Sequence, residues 1–499
     1  MKNILIIISS LILIISLGSC RKDFDTSVSS GNLAFSKETV YLDTVFTNIG
    51  SSSYNLKVYN NSGDDIHIPT ISLENGNASK YRLMVDGIAG QSFENIQIKA
   101  KDSIYIFVET TIDILDYTTT ATEFLYTDNI LFDANSFTQK VALVTLVKNA
   151  NMIFPSALND GELNNFDLTL SQLNWTNTVP YVIYGFPSVP ACETLIIQEG
   201  TRIHFHRDAG LIVPDCATII ADGDVSTDPD LLEKEIIFEG DRLEPLYSDI
   251  PGQWGTIWLQ EGSTNNIFDH VTIKNGTIGI RSDGNDGDLT TTITNTQLYN
   301  HAVNGIFAFN GNIEGKNIVV GNCGQASVSL SLGGTYDFQH CTFTNYWSSG
   351  FRSFPTLLMS NSLTTSDTLF VSQLDATFTN CIVYGNENLE FSFLKETGAD
   401  LNCKFTNCLL RFNDTSNQFS TNPLYDFNDV TLYEGNIFNE TPLFLDANNN
   451  QFQIEEGTSP ADNTGFEITP SFNDLLNTVR TTGNYDIGAY QASVFPTDG

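Results

Sequence analysis

Positive charge is scarce in this 499-residue chain: 23 Lys+Arg stand against 59 Asp+Glu, for a net charge of −36. A field of that sign repels nucleic acid and anionic polymers, and it favours solubility outside the cell. No two cysteines are spaced as CxxC, so the commonest zinc-binding pattern is missing. There is no Gly-rich phosphate loop and no nucleophile elbow. Histidine occurs six times, and one stretch alone holds two close together. After residue 20 no segment is apolar enough to cross a bilayer as a helix. Hydrophobic content is nevertheless 41%, ordinary for a globular chain, and the length allows two to four domains.

What is present begins with a short basic start, Met1-Lys2-Asn3, and an apolar run over residues 4–17. That run is too short to span a membrane and suits the core of a signal peptide. It ends in Leu17-Gly18-Ser19-Cys20, which resembles a bacterial lipoprotein box. The resemblance implies cleavage after residue 19 and acylation of Cys20, anchoring the chain in the outer membrane. A plain secretory signal with a chance cysteine is the competing reading. Arg21-Lys22-Asp23-Phe24-Asp25 is similar to the acidic export tags of Bacteroidetes-type surface lipoproteins, so residues 20–32 are expected to be an acylated tether to a cell-surface protein.

Residues 33–150 read as short strands separated by turns such as Asn60-Asn61-Ser62-Gly63-Asp64-Asp65. Strands of this number and spacing predict a β-sandwich. Leu33-Ala34-Phe35, the Asn-rich turn and Ile66-His67-Ile68 resemble the immunoglobulin-like domains named after hydin and abnormal-spindle proteins, which implies a spacer or interaction module.

Beyond residue 150 the chain repeats itself. Val189-Pro190-Ala191-Cys192 returns as Val213-Pro214-Asp215-Cys216. Phe378-Thr379-Asn380-Cys381 returns as Phe405-Thr406-Asn407-Cys408. Related segments start at Phe268, Ile293, Ile313 and Phe338, so successive starts lie 25, 20, 25, 40 and 27 residues apart. Apolar residues hold the first, fourth and sixth places, a phase that a straight strand cannot keep. The third place is His270, Asn295, Gly315, His340, Asn380 and Asn407. These residue types tolerate a bent backbone, so a corner there turns every apolar side chain inward. The pattern predicts a parallel β-helix with a ladder at its corner, His270, Asn295, His340, Asn380 and Asn407. A surplus of residues around Asn361 and Asp367 is expected to be a loop.

Gly200-Thr201-Arg202-Ile203 and Gln253-Trp254-Gly255-Thr256-Ile257 resemble the secreted right-handed β-helix repeat proteins of bacteria. Thr441-Pro442-Leu443-Phe444, Gly457-Thr458-Ser459-Pro460-Ala461 and Asp486-Ile487-Gly488-Ala489-Tyr490 resemble an anchor-like C-terminal cap of such proteins, although Gln491 stands where they carry an acid. The expected fold is therefore all-β: an N-terminal β-sandwich followed by a right-handed parallel β-helix. Residues 151–180 would be a linker and N-terminal cap, 181–435 the β-helix, and 436–499 its last rungs and cap.

Candidate chemistry is thin. Cys341, Cys381 and Cys408 share the fourth place and are expected to stack inward as small hydrophobes. Cys192 and Cys216 lie one repeat apart, and a disulfide between them is geometrically feasible. His204, His206 and Asp208 alternate along a strand and can hold a metal; the competing reading is a solvated face. Asp283, Asp286 and Asp288, in a Gly-rich stretch, resemble a calcium loop; the competing reading is a simple turn. Calcium is thus the one cofactor in view. Trp254, Trp258 and Trp347 are candidate sugar platforms, core packing being the commoner fate. No catalytic residue can be named, because lyase chemistry needs basic groups that are few here and hydrolysis needs converging carboxylates that a sequence cannot display. The expected function is binding, adhesion or scaffolding toward a glycan, matrix component or surface protein, with a polysaccharide-processing enzyme as the alternative. Nucleic acid is not expected as a partner.

Overall fold

The computed structural model describes residues 26–117, 121–134, 137–155, 165–228, 231–284, 287–365, 368–483 and 485–496; Cys20 and Asp286 lie outside the described residues. The described chain is all-β, and it divides into two compact units, Met1–Asn149 and Ala150–Gly499. Among the described residues no helix is long and apolar enough to cross a membrane.

The first unit has two sheets over one core. One is built on the hairpin of Glu123–Ala134 with Phe137–Lys148, flanked by Ile66–Leu73 and Thr39–Phe46. The other is antiparallel and centred on Tyr54–Tyr59, Ser103–Thr110 and Tyr81–Val85. Strict alternation decides which side chains face in: Leu56, Val58, Ile106 and Val108 from one sheet share a core with Ile130, Phe132, Val141 and Leu143 from the other. The Asn-rich turn is fixed by Asn60, whose amide donates to the carbonyls of Asp64, Ile98 and Lys99.

The second unit is built from two long parallel sheets, of 17 and 11 strands among the described residues. Each strand pairs with its counterpart one repeat later, so identical positions lie side by side: Phe338 on Phe378, Phe378 on Phe405, Phe405 on Tyr433. Their rings stack inside at 5.5, 4.7 and 5.7 Å between centroids. The parallel pairing already starts at Asn151–Ile153, within the segment expected to be a linker, and ends at Ile437–Phe438.

Where the chain passes from the 17-stranded to the 11-stranded sheet, the backbone turns through one left-handed residue in each of six successive repeats. These residues are His270, Asn295, Asn317, His340, Asn380 and Asn407, with φ from +46° to +54°. One left-handed residue shifts the strand phase by one, so Phe268 and Val271, on either side of His270, are both fully buried. The third copy differs from expectation. Its corner is Asn317, not Gly315, and Gly315 takes the first place, paired with Ile293 and Phe338. A Cβ on Gly315 would stand 2.5 Å from Phe338 Cδ1, so glycine is what lets that ring lie inside. The surplus residues form an antiparallel hairpin, Ser362–Thr365 with Thr368–Val371, instead of a loop.

The C-terminal segment does not end the stack. It runs along the outside of the 11-stranded sheet, where Phe452, Leu475, Ala489 and Tyr490 cover Tyr299 and Val319, and Ile454, Ala461 and Ile487 cover Ile382, Tyr384 and Leu409. Gly488 sits so close that a Cβ would meet Ile382 and Thr342 at 2.8 Å. Gln491, in the place of the usual acid, accepts from Arg480 Nη1 at 2.8 Å.

Candidate binding sites

A second corner row lies five residues after the first. Asn275, Asn300 and Asn322 are again left-handed, with φ of +66°, +58° and +55°. The amides of Asn300 and Asn322 face the C-terminal segment, while Asn275 donates to the Ser248 carbonyl at 2.8 Å. Asn322 Nδ2 donates to Asn450 Oδ1 at 2.5 Å, Asn450 Nδ2 to Asn300 Oδ1 at 3.3 Å, and Asn300 Nδ2 to Asp249 Oδ1 at 3.2 Å. Beside this chain is a recess of about 290 Å³, walled by Trp347, Pro251, Ser348 and Ser349 and by the amides of Asn448, Asn449 and Asn450. Asp249 is the one charged group in its lining.

Trp347 belongs to a turn that a buried ion pair holds in place. Arg352 reaches Glu390 through Nη1 to Oε2 at 2.9 Å and Nη2 to Oε1 at 2.8 Å, with both side chains essentially inaccessible. Arg352 also donates to the carbonyls of Asn345 and Phe354, while Glu390 accepts from the Thr356 amide and hydroxyl. Arg352 Nε alone of this guanidinium is left without a partner, and a buried charge pair with this many hydrogen bonds favours one backbone path. On that path Phe351 is 91% exposed and Phe354 39% exposed, close in sequence to Trp347.

A second recess, of about 340 Å³, opens around Glu235 and His270. Glu235 is 8% exposed and accepts the Thr272 hydroxyl at 2.7 Å. Burial pushes its carboxyl above the usual range. His270 Nδ1 lies 3.1 Å from Asp269 Oδ1. Burial opposes its charged form, but Asp269, Glu235 and Asp224 outweigh burial and raise it. Asp222, the register partner of Asp269, is also raised by burial and by that neighbour.

Two pairs of successive corner residues bond each other through their side chains, Asn295 with Asn317 and His340 with Asn380. Asn295 donates to Asp269 at 2.8 Å, Asn317 to Asn295 at 2.8 Å, and Asn380 contacts His340 Nε2 at 2.9 Å. The C-terminal segment adds further bonds: Asn380 bonds both backbone groups of Phe466, and Asn407 donates to Thr464.

The metal reading of His204, His206 and Asp208 does not hold. His204 is buried, 3.3 Å from the Gly240 carbonyl and 3.5 Å from Glu239, while His206 pairs with Asp241 at 2.7 Å and stacks on Tyr184. Asp208 is left-handed, on a turn beside Arg207. The calcium reading is also undercut: Arg281 takes both oxygens of Asp283, and Trp258 Nε1 donates to one of them. No group of three metal-ligating side chains occurs among the described residues. Of the candidate platforms, Trp254 is core, stacked 4.4 Å from Phe205, and Arg281 covers the face of Trp258. Trp347 borders the first recess. Cys192 and Cys216 form a disulfide, while Cys341, Cys381 and Cys408 are buried free thiols.

No protein-family model matches the chain, and no curated protein matches it. Among solved structures, a PapD-like domain of human CEP192 matches at TM-score 0.16 and 8% identity, over 24% of this chain and 85% of that one. A family 123 glycoside hydrolase from Clostridium perfringens matches at TM-score 0.16 and 9% identity, over 25% of this chain and 30% of that one. The periplasmic chaperone SfaE matches at TM-score 0.15 and 16% identity, over 30% of this chain and 67% of that one. Likenesses this slight carry no argument about what the chain does.

Proposed function

We propose that this chain is a lipid-anchored cell-surface protein that binds a neutral glycan in the recess beside Trp347. In this reading Cys20 is acylated, the first unit is an immunoglobulin-like spacer, and the second is a right-handed parallel β-helix presenting the site. The β-helix reading is supported by the repeat offsets, the paired parallel sheets and the left-handed corners. One observation carries the choice of ligand. On a chain of net charge −36, this recess is lined by amides, hydroxyls and an indole, with a single acid. Sugar hydroxyls both donate and accept, as amides do, and an indole edge or face suits the apolar side of a sugar ring. The surrounding negative field works against an acidic polysaccharide.

The test is retention of the full chain on a panel of neutral and acidic glycans, with product analysis on the same samples. Saturable binding to a neutral glycan is expected, weakened about tenfold by Trp347→Ala, the equivalent of ~1.4 kcal/mol. Retention by acidic glycans alone, or by none, overturns the reading. New reducing ends would instead favour the polysaccharide-processing alternative. Surface display is checked separately: protease added to intact cells should remove the protein without lysis.

A further inference from the structure

We infer that the cleft beside Glu235 is a separate binding site for an organic monocation, a primary amine carried on an apolar body. The site is independent of the glycan reading and lies elsewhere on the second unit. Its floor is the Glu235 carboxyl, and its walls include Leu232, Leu475, Leu476 and the ring of Tyr490. Its volume of about 340 Å³ suits a small molecule.

Three observations select the ligand class. The first is an uncompensated acid. Glu235 is more than nine-tenths buried, yet among the described residues no cation forms an ion pair with it. Two positive groups, Arg202 and His270, act on it electrostatically, and both are otherwise engaged. Arg202 spends its guanidinium on the Glu235 and Leu232 carbonyls, each at 2.6 Å, and His270 faces Asp269. A carboxylate with neutral partners alone is destabilised by burial, and a cationic ligand removes that penalty. The second is an orphan acceptor. Gln453 lines the same cleft, and its Oε1 is buried and has no hydrogen-bond partner. An ammonium group is all donor and can serve both Glu235 and Gln453, whereas a carboxylate or ether ligand can serve neither. The third is the wall. Leucine side chains and an aromatic ring favour a hydrocarbon body. The Tyr490 hydroxyl is already 3.2 Å from Gln297 Oε1, so its ring, not its oxygen, is on offer.

Acidity should tune this site. The titratable and charged groups acting on Glu235 are His270, Arg202, Tyr299 and Tyr490, and His270 in turn faces Asp269 and Asp224. Glu235 must be ionised to hold an ammonium, and a protonated His270 opposes it. Both groups are raised, so lowering the pH protonates both, and amine affinity should rise with pH between about 5 and 8.

The experiment is titration calorimetry on the full chain in amine-free phosphate buffer, with n-hexylamine, n-hexanol and hexanoate as probes. Saturable binding of n-hexylamine is expected at pH 8, at least about tenfold tighter than n-hexanol, with hexanoate not binding. Glu235→Gln should weaken the amine at least about tenfold, and Leu476→Lys, at a half-exposed wall position, should do the same by placing a cation at the mouth. Trp347→Ala should leave it unchanged. Equal binding of hexanol, or undiminished binding in both Glu235→Gln and Leu476→Lys, overturns the inference, as does affinity that falls between pH 5 and 8.

Discussion

Asn380 is a corner residue with three side-chain hydrogen bonds, and its replacement tests the corner argument quantitatively. Its side chain is fully buried and has three partners: Nδ2 reaches His340 Nε2 at 2.9 Å and the Phe466 carbonyl at 2.7 Å, while Oδ1 accepts from the Phe466 amide at 2.6 Å. Its φ is +54°. Burial, with the Arg480 charge nearby, keeps His340 neutral, so His340 Nε2 is an acceptor that needs this donor. Losing three bonds at ~1 kcal/mol each, plus ~1–2 kcal/mol for holding alanine left-handed, gives a loss of about 4–5 kcal/mol for Asn380→Ala. Asn380→Gly keeps the conformation and should lose about 1 kcal/mol less, even after its freer unfolded state is counted. Asn380→Asp supplies no donor and should be no better than alanine. All four tryptophans, Trp175, Trp254, Trp258 and Trp347, lie in the second unit, so their fluorescence during urea unfolding follows that unit alone. With a urea slope of about 3 kcal/mol per M, the alanine variant should shift the midpoint by more than ~1 M. A glycine variant as unstable as alanine would refute the conformational part of the reasoning, and an unshifted alanine variant would refute the whole.

Two further outcomes follow from buried charge. Glu390→Gln strands Arg352 in the turn that carries Trp347, so it should cost about 3–5 kcal/mol and open residues 346–355 to protease; the paired replacement Arg352→Met with Glu390→Met should cost clearly less. His301 is fully buried and burial pushes it down to about 4, so the unfolded chain binds more protons between there and its ordinary 6.5; stability should fall as pH falls through that window, by up to roughly 3 kcal/mol, and urea midpoints of His301→Gln across pH 4–7 should lack that component.

How much of this was legible in the sequence depends on what each residue answers to. The corner row could be read because a left-handed residue must be one of a few types, and that constraint is local. The misreading at Gly315 has the same root: alignment on apolar residues chose Ile313, whereas the packed position is a glycine whose emptiness is filled by Phe338. The second asparagine row is equally local, since Asn275, Asn300, Asn322 and Asn345 each follow a corner residue by five, but the apolar repeat beside it is the stronger signal. The metal reading of His204, His206 and Asp208 did not hold because a strand pattern shows which side chains are near and not which partners already hold them, as Asp241 holds His206; Arg281 likewise holds Asp283 of the calcium reading, whose Asp286 lies outside the described residues.

The two recesses were beyond local reading for a different reason. Each is closed by the C-terminal segment, through partners such as Asn322 with Asn450 and the cleft shared by Glu235 and Tyr490. A trace of that cover was nonetheless in the strands. A parallel strand exposed on one face should alternate, yet Val319–Cys323 and Ile382–Gly385 are buried at every position. Ile318-Val319-Val320 and Cys381-Ile382-Val383-Tyr384 are apolar on both faces accordingly. An outward row of Val319, Ile382 and Leu409 must be covered by something, and in a chain this poor in further apolar segments the candidates are few. The cover that satisfies this hydrophobic demand also brings Asn450 to the Trp347 recess and Gln453 and Tyr490 to the Glu235 cleft. The packing requirement of one sheet face therefore builds both sites, and loosening the segment at Gly488 or Phe452 should impair both at once, whichever ligand each takes.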